Sequence, residues 1–282
     1  MIPNIDIERS ITKTYRRKLW SQFMKAITIY DLIQEGDCIC VCISGGKDSM
    51  LLAKCFQMLS RFTEVAFTVK FLVMDPGYNK ANLERIKENA AHMQIPIVIK
   101  ESPIFDAVKD MNKNNCYICA RMRRGYLYRF AKEMGCNKIA LGHHYDDVIE
   151  TVLMNILYAG EIRTMMPKLH ATNFKGMQLI RPLYLIKEED IVRWKNHCEL
   201  EFLNCACRFT EMIEEQKDVP IKTSKRQEIK ELIAHYRKIN PVIDKNIFRS
   251  VANVNLDKVI EYYDEEHRVN FLDKYDNLKD GE

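Results

Sequence analysis

Short apolar runs alternate with amphipathic stretches through much of the chain. The apolar runs have the length of buried strands and are Cys38–Ile43, Phe67–Met74, Ile97–Lys100, Lys138–Leu141 and Leu179–Leu183. Residues at helical spacing predict intervening helices over Met50–Arg61, Ala81–Met93, Tyr117–Met134 and Val148–Tyr158. This alternation predicts an α/β fold, a doubly wound parallel sheet whose ligand sites lie at the carboxyl ends of its strands.

The pattern differs on either side of this alternating region. Residues 6–33 read as one basic helix, since residues 1–30 carry six basic residues and two acids. After about residue 185 the pattern is helical, with candidate helices over Glu188–Trp194, Ser224–Lys238 and Asn255–Tyr263. We therefore predict an N-terminal helix over 1–33, a central domain over 34–210 and a helical C-terminal extension over 211–282 with an acidic tail.

Composition limits the protein class without selecting a function. The 282 residues carry a formal net charge of only +4, which alone does not favour a nucleic-acid partner. No apolar run approaches the roughly 20 residues that span a bilayer, and no secretory leader pattern is evident. The ten cysteines fall in predicted strands, helices and a metal-like pair rather than in a disulfide framework. We expect a cytoplasmic protein without a membrane partner.

A glycine turn follows the first predicted strand and reads Ser44-Gly45-Gly46-Lys47-Asp48-Ser49. Two glycines permit unusual backbone angles, and the amides of the turn and the positive end of the next helix can converge on phosphate oxygens. Lys47 adds a charge, and the serines add hydroxyl donors. The spacing is not that of the G-x-x-x-x-G-K-[ST] loop. The alternative is a simple turn with a solvated lysine.

Two cysteine pairs are candidates for a metal centre, Cys116-Tyr-Ile-Cys119 and Cys205-Ala-Cys207. Three interpretations stay open. All four thiolates suit a structural zinc ion, which the spacing favours slightly. The first pair alone suits a redox dithiol. Three cysteines suit an iron–sulfur cluster with one iron left open. By contrast, Cys38, Cys40 and Cys42 share one face of the first strand and are expected to pack in the core.

Basic residues follow the first cysteine pair without any intervening acid. Arg121, Arg123, Arg124 and Arg129 are interleaved with tyrosines 126 and 128. Such a surface can neutralise phosphates and stack on unpaired bases, which is typical of RNA contacts. The alternative is a solvated helix face whose tyrosines belong to the core.

Three motifs together resemble one enzyme family. They are S-G-G-K-D-S at 44–49, C-x-x-C-x-x-x-R-R-G-x-L-Y at 116–128 and L-G-H-H-x-D-D-x-x-E-T at 141–151. The combination resembles the tRNA 2-thiocytidine synthetase family, within the N-type ATP pyrophosphatases or PP-loop superfamily. The similarity covers most of residues 10–210, including 160–168 and Arg181-Pro182-Leu183. It implies an adenine nucleotide alpha hydrolase-like fold.

The resemblance also implies a cofactor and its ligands. In that family, the C-x-x-C pair and one later cysteine hold a [4Fe–4S] cluster whose open iron carries sulfide. Cys116 and Cys119 are thereby expected to be ligands, with Cys205 as the third. This sequence departs from the family's Pro-Cys-x-x-Cys segment, however, so Cys207 stays open as an alternative third ligand.

The activity that the resemblance implies is ATP-dependent thiolation of tRNA. ATP would adenylate the C2 oxygen of a cytidine at position 32 in the anticodon loop, and sulfur would replace that oxygen. Expected partners are tRNA, ATP, Mg²⁺, a sulfur donor such as a cysteine desulfurase or free sulfide, and a second copy in a homodimer. The arginines expected to bind RNA are Arg121, Arg123 and Arg124.

The resemblance assigns roles near ATP to residues at the predicted strand ends. Lys47, Asp48 and Asp147 are expected to be catalytic or associated with Mg²⁺. Nucleotide contacts are expected from the turn and from a further set: Ser44, Gly45, Gly46, Lys47, Asp48, Ser49, Met74, Asp75, Gly142, His143, Arg163 and Lys168. Alternatives for the Asp and His residues are helix capping, and for Arg163 and Lys168 plain surface charge.

Two other functions stay open. One is a different enzyme on the same scaffold, for tRNA 2-thiouridine synthesis, lysidine synthesis or desulfuration of a thiolated base; the cysteine pair speaks against lysidine synthesis. The other is a regulatory protein that binds a nucleotide and senses redox state or zinc without turnover.

Overall fold

The computed structural model describes residues 1–105, 115–203, 225–264 and 266–277. The chain divides into two compact units. The first comprises residues 1–148 and 165–223, and the second comprises residues 149–164 and 224–282. The domain boundaries inferred from the sequence stay a prediction.

The first unit is built on a six-stranded sheet with the order β3-β2-β1-β4-β6-β5. Its strands are β1 Cys38–Ile43, β2 Thr68–Asp75, β3 Ile97–Glu101, β4 Lys138–Ala140, β5 Lys168–His170 and β6 Gln178–Ile180. All pairings are parallel except that of β5, which runs antiparallel to β6 at the edge. The predicted doubly wound parallel sheet is confirmed, and the three-residue β5 is an addition that its short polar sequence did not signal.

Helices connect and cover these strands. They are α1 Asn4–Arg9, α2 Trp20–Ile29, α3 Lys47–Phe62, α4 Lys80–His92, α5 Asn115–Glu133, α6 Tyr145–Met154 and α7 Glu188–His197. A π-helical turn, Asn155–Ala159, follows α6 directly. No helix within the described ranges combines the length and apolar character needed to cross a membrane.

The single basic helix predicted over residues 6–33 is wrong. The chain forms α1, a π-helical turn over Ser10–Thr14 and then α2, with a break between them. The break exposes Arg16, Arg17 and Lys18, while Leu19 is fully buried immediately afterwards. Three successive cations stay in water this way without preventing burial of the apolar residues on either side.

The amino-terminal end of the sheet contains a buried ion pair. Lys138 Nζ lies 2.6 Å from Asp37 Oδ2 and donates to the Leu32 carbonyl at 3.1 Å. Asp37 also accepts from the Gln34 N–H at 2.6 Å and from Asn137 Nδ2 at 2.8 Å. Both charges are therefore compensated where they are removed from water.

The cysteines of β1 lie where core packing was expected. Cys40 and Cys42 are buried, and Cys38 is half-buried with its Sγ 3.2 Å from Cys136 Sγ. All are free thiols.

The second unit contains helices and a hairpin. Helices α8 Lys225–Ile239 and α9 Ile243–Ser250 are followed by strands β7 Glu261–Tyr263 and β8 Arg268–Asn270, which pair antiparallel. The helix predicted over Asn255–Tyr263 is wrong, because Asp264 Oδ1 accepts the N–H groups of Glu266 and His267 and closes a turn. Glu150 of this unit binds Arg226 of α8 at 2.7 Å.

Candidate active site

A cavity of about 320 Å³ opens at the carboxyl ends of β1, β2 and β4. It brings together eight of the residues singled out in the sequence: Ser44, Asp48, Ser49, Met74, Arg123, Gly142, His143 and Asp147. These residues come from four separate segments of the chain. Three of the segments meet because the carboxyl ends of neighbouring parallel strands lie at one edge of a sheet, and the fourth, with Arg123, belongs to α5.

The glycine turn uses its two glycines differently. Gly45 has φ +84°, and a Cβ there would lie 2.6 Å from Ile86 Cγ1, so this glycine makes room for α4. Its carbonyl accepts the Leu203 N–H at 3.1 Å. Gly46 has an ordinary φ of −80°, and a Cβ there would meet nothing closer than 3.6 Å. The need for glycine is therefore conformational at position 45 and does not arise from geometry at position 46.

The two serines close the turn and face the cavity. The Ser44 N–H donates to Ser49 Oγ at 3.1 Å, and Ser49 Oγ donates to the Gly46 carbonyl at 2.9 Å. The 16-residue α3 helix begins at Lys47, so its positive end lies at the same place. Hydroxyl groups and a helix N-terminus together form an environment that suits phosphate oxygens.

The Lys47 side chain does not line the large cavity. Its Nζ lies 2.8 Å from Glu188 Oε1 and 3.2 Å from Asp48 Oδ2. Its side chain lines a separate cavity of about 130 Å³, together with Gly46, Asp48, Lys195, Phe202 and Leu203. Burial depresses the pKa of Lys47, but Asp48 and Glu188 outweigh burial and raise that pKa above its ordinary value.

Asp48 lines both cavities and has an incompletely satisfied carboxylate. Its Oδ1 is buried and accepts no hydrogen bond from any described residue. Burial raises the pKa of Asp48, although His144 and Lys47 act in the opposite direction. A buried carboxylate oxygen without a donor is a suitable ligand for a hard cation such as Mg²⁺.

The two adjacent aspartates in the segment after β4 make different contacts. Asp146 Oδ2 accepts the Glu188 N–H at 2.7 Å and so caps the first turn of α7. Asp147 Oδ2 accepts the His144 N–H at 3.0 Å, and Asp147 lines the large cavity. Adjacent positions on a helix point in different directions, which is why only one of two neighbouring carboxylates reaches the site.

Gly142 allows this segment to approach α3. A Cβ at Gly142 would lie 3.0 Å from Ser49 N and 3.1 Å from the carbonyl carbon of Asp48.

Arg181 follows β6 directly. It is buried and donates to the Met166 carbonyl. Burial and the neighbouring Arg124 lower the pKa of Arg181 to about 10. Its Nε has no partner among the described residues.

The arginine-rich helix α5 contributes one arginine to the cavity. Arg123 lines it, with Nε buried and without a partner in the described ranges, and its guanidinium lies 5.4 Å from the Phe105 ring centre. Arg121 and Arg124 are exposed. The tyrosines expected to stack on bases are used internally: Tyr126 stacks under Arg129 at 4.4 Å, and Tyr128 stacks on Phe174 at 5.1 Å.

Three other residues singled out in the sequence are not among those that line the large cavity. Asp75 accepts the N–H groups of Gly77 and Tyr78 at 2.8 and 2.6 Å and so closes the turn after β2. Lys168 binds Asp31, with Nζ 3.1 Å from Oδ2. Arg163, in the second unit, is exposed and pairs with Glu161 at 3.1 Å. Their contacts with ATP or RNA stay a prediction.

Sequence comparison identifies the family to which this site belongs. A family model described as a PP-loop domain matches residues 11–207. The tRNA-cytidine(32) 2-sulfurtransferase of Coxiella burnetii is 34% identical over 256 residues, which cover 89% of this chain and 94% of that protein. The enzyme of the same name from Geotalea uraniireducens is 33% identical over 84% of this chain and 93% of its own.

The chain belongs to the PP-loop family. Within it, the chain groups with the tRNA-cytidine(32) 2-sulfurtransferases, so the family resemblance of the three motifs is confirmed. A solved structure, the U34-tRNA thiolase NcsA from Methanococcus maripaludis with its [4Fe-4S] cluster, has a TM-score of 0.64 and covers 83% of this chain and 77% of its own. At 20% identity that likeness shows the fold alone.

The cysteines proposed as cluster ligands in this PP-loop protein are only partly within the described structure. Cys116 and Cys119 lie in α5, of which the structure describes the backbone at these positions, and Cys205 and Cys207 lie outside the described residues. The part of the chain that is described contains no group of three or more His, Cys, Asp or Glu residues able to hold a metal ion. The cluster ligands therefore stay a prediction.

Several site residues of this PP-loop domain were not expected from its sequence. Cys42, Tyr78, Leu127 and Leu141 line the large cavity, and Glu188 binds Lys47. Cys42 is the penultimate residue of one predicted strand and Leu141 the last residue of another, so their position at the carboxyl edge was open to prediction. Glu188 lies 141 residues from Lys47 in the sequence, and no local pattern connects the two.

Proposed function

We propose that the protein is an ATP- and iron–sulfur-dependent tRNA sulfurtransferase that converts cytidine at position 32 of the anticodon loop to 2-thiocytidine. The observation that carries this proposal is the single cavity that joins the glycine turn, Asp147 and Arg123 of the cysteine-bearing helix α5. The names of relatives that align over most of both chains support the substrate.

The chemistry requires that a poor leaving group be activated. The C2 oxygen of cytosine attacks the α-phosphorus of ATP, pyrophosphate leaves, and the base carries AMP on its C2 oxygen. A sulfur nucleophile then attacks C2, the C2–O bond breaks, and AMP departs with the oxygen. Donors placed in advance where charge develops lower the barrier to both displacements. Ser44, Ser49 and the first turn of α3 are so placed for the phosphates.

The acidic residues of the cavity suit the cation that accompanies ATP. Mg²⁺ is usually held by one or two carboxylates together with substrate phosphates. Asp48, whose buried Oδ1 accepts no hydrogen bond from the described residues, and Asp147, on the opposite segment, would hold it. When bound, the cation would neutralise charge on the departing pyrophosphate.

The helix α5 is where the sulfur chemistry would enter. Cys116, Cys119 and Arg123 occur at spacings of three and four residues along this helix, and Arg123 reaches the cavity. We propose Cys116, Cys119 and Cys205, or Cys207 in its place, as the ligands of a [4Fe–4S] cluster, which would supply a site for sulfide. Exposed Arg121 and Arg124 would bind tRNA phosphates.

Further parts of the proposal come from the family alone. We infer a cytoplasmic protein, because its relatives are named for acting on tRNA. The sulfur donor, a cysteine desulfurase or free sulfide, and a homodimeric assembly stay predictions.

The experiment is an anaerobic thiolation assay with a chemically defined product. Purified protein is incubated with ATP, Mg²⁺, sulfide and an unmodified tRNA transcript carrying C32, and the nucleosides are analysed by mass spectrometry. We expect 2-thiocytidine, with one AMP formed per thiolated base and no product from a transcript with U32. Formation of 2-thiouridine would assign another base, and absence of RNA-dependent AMP formation would favour a sensor.

Metal analysis tests the cluster separately. We expect iron and acid-labile sulfide in the anaerobic protein and their loss in Cys116→Ala and Cys119→Ala. Retention in Cys205→Ala with loss in Cys207→Ala would move the third ligand to Cys207. Stoichiometric zinc without iron would contradict the cluster.

A further inference from the structure

Lys47 stands apart from the other polar residues of the glycine turn. Ser44, Asp48 and Ser49 line the large cavity, whereas Lys47 lines the small one. The Lys47 Nζ is held at 2.8 Å by Glu188 and at 3.2 Å by Asp48. The only cation of the turn is thus already neutralised by carboxylates before any phosphate arrives.

Glu188 is itself fixed by the segment that forms the opposite side of the cavity. It opens α7, and its N–H donates to Asp146 Oδ2 at 2.7 Å. Asp146 is buried and immediately precedes Asp147, which lines the large cavity. The position of the Glu188 carboxylate beside Lys47 is therefore set by the same short segment that places Asp147.

The pair is partly shielded from water. The Lys47 and Glu188 side chains are 23% and 31% exposed, respectively. An ion pair in such surroundings is screened less than one on an open surface. Releasing Lys47 from Glu188 consequently has a measurable cost, which any ligand that recruits Lys47 must offset.

We propose that Glu188 is a positioning residue for Lys47, holding the ammonium group beside the turn in the nucleotide-free protein and releasing it to the phosphates of bound ATP. This inference rests on the proposed ATP-dependent function. A triphosphate carries more negative charge than a carboxylate, and the long flexible lysine side chain can exchange one partner for the other without moving the backbone.

The proposal predicts the direction in which one substitution changes the affinity for Mg·ATP. Glu188→Gln keeps the size of the side chain but removes the charge that competes for Lys47. We expect Mg·ATP to bind about fivefold more tightly, the effect of one partly shielded ion pair of about 1 kcal/mol. The change falls on KM for ATP, with kcat for thiolation within about twofold, because Lys47 reaches the phosphates in both proteins.

The experiment measures Mg·ATP binding to the full chain without tRNA, by calorimetry and, for weak complexes, by equilibrium dialysis with radiolabelled ATP. Glu189→Gln is the matched control, because this substitution removes the same charge at the adjacent position. Glu189 pairs with Arg193 at 3.1 Å and not with Lys47. The affinity of this variant should stay within about twofold of the original protein. In a Lys47→Met background, Glu188→Gln should give no gain.

Three results would overturn the inference. They are an unchanged or weaker affinity in Glu188→Gln, an equal gain in Glu189→Gln, or a gain that persists with Lys47→Met, which would indicate long-range electrostatics. A purely structural role for Glu188 would lower the unfolding temperature and leave the affinity unchanged. If the original protein does not bind Mg·ATP, the proposed function itself is wrong. If it binds Mg·ATP but Glu188→Gln leaves the affinity unchanged, only the inference about Glu188 is wrong.

Discussion

The two ends of the central sheet treat buried charged groups in opposite ways. At the amino-terminal end, Asp37 and Lys138 pair at 2.6 Å, and neighbouring backbone and side-chain groups complete their hydrogen bonds. At the carboxyl-terminal end, Asp48 Oδ1, Arg123 Nε and Arg181 Nε are buried without a hydrogen-bond partner in the described ranges. Both ends belong to the same unit and the same strands.

This difference distinguishes a structural polar cluster from a binding site. A buried polar atom without a partner costs free energy that a folded protein normally avoids. Such atoms are tolerated where a ligand completes them, and here Asp48 and Arg123 line a cavity large enough for a small-molecule ligand. Substitutions should therefore cost stability at one end and activity at the other.

The largest effect on stability is expected from Asp37→Ala. It leaves Lys138 buried without its counter-charge, and breaking a buried pair from one side costs about 3–5 kcal/mol. The free energy of unfolding, measured with urea, should fall by that amount. Mg·ATP affinity at a temperature where the variant is folded should be unchanged.

A double variant provides the control for this pair. Asp37→Leu with Lys138→Met replaces both charges by apolar groups, which is often neutral for stability. It should recover most of the loss. If the double variant is as unstable as Asp37→Ala, the hydrogen bonds to Gln34 and Asn137, rather than the ion pair, hold this end together.

Asp147→Asn tests the opposite end. The amide keeps the size of the side chain and can still accept the His144 N–H, so the fold should persist. Thiolation should fall by about 100-fold, the typical cost of losing a charge placed for the transition state. Initial rates by nucleoside mass spectrometry, beside unfolding curves, provide the measurement. A variant that is unstable but retains its specific activity would place Asp147 in the scaffold.

Gly142→Ala should affect both properties, because it alters the approach of two elements. The new Cβ would lie 3.0 Å from a backbone atom of Ser49, so the first turn of α3 must shift. Overpacking of this kind costs about 1–3 kcal/mol, and we expect weaker Mg·ATP binding with it. Gly125→Ala is the control, since a Cβ there meets nothing within 4 Å. Equal behaviour of the two variants would contradict a tight approach at Gly142.

The architecture was largely open to prediction from the sequence. Each of the five expected strands exists. The signal is clearest for β1 and β2, because continuous apolar runs are decisive where both faces of a strand are buried. The failures fall where that signal is weak: the three-residue β5, the hairpin over residues 261–270 and the break between α1 and α2. α3 begins at Lys47 rather than at Met50, because its first turn is polar and faces a cavity.

Only the parts of the site that are formed by residues close together in the sequence were predictable. The turn at 44–49 and the segment at 142–147 could be located because each directly follows a strand. The separation of Asp146 from Asp147, and the pairing of Lys47 with Glu188, depend on where α7 packs. Long-range packing of this kind leaves no periodic trace in the sequence, so two adjacent aspartates read alike until the fold separates them.

The smallest effect on stability is expected from Asp48→Asn, and it sharpens the comparison between the two ends. Removing a buried carboxylate whose Oδ1 lacks a donor should leave the free energy of unfolding unchanged or raise it by up to about 1 kcal/mol, because less charge is desolvated. Lys47 keeps Glu188 as its partner. Binding of Mg·ATP should nevertheless weaken, since an amide is a poorer Mg²⁺ ligand. Urea unfolding beside calorimetry measures both, with ATP in EDTA as the control for the metal. A loss of stability as large as that of Asp37→Ala would mean that the two ends are built alike, and that the unsatisfied oxygen does not mark a ligand site.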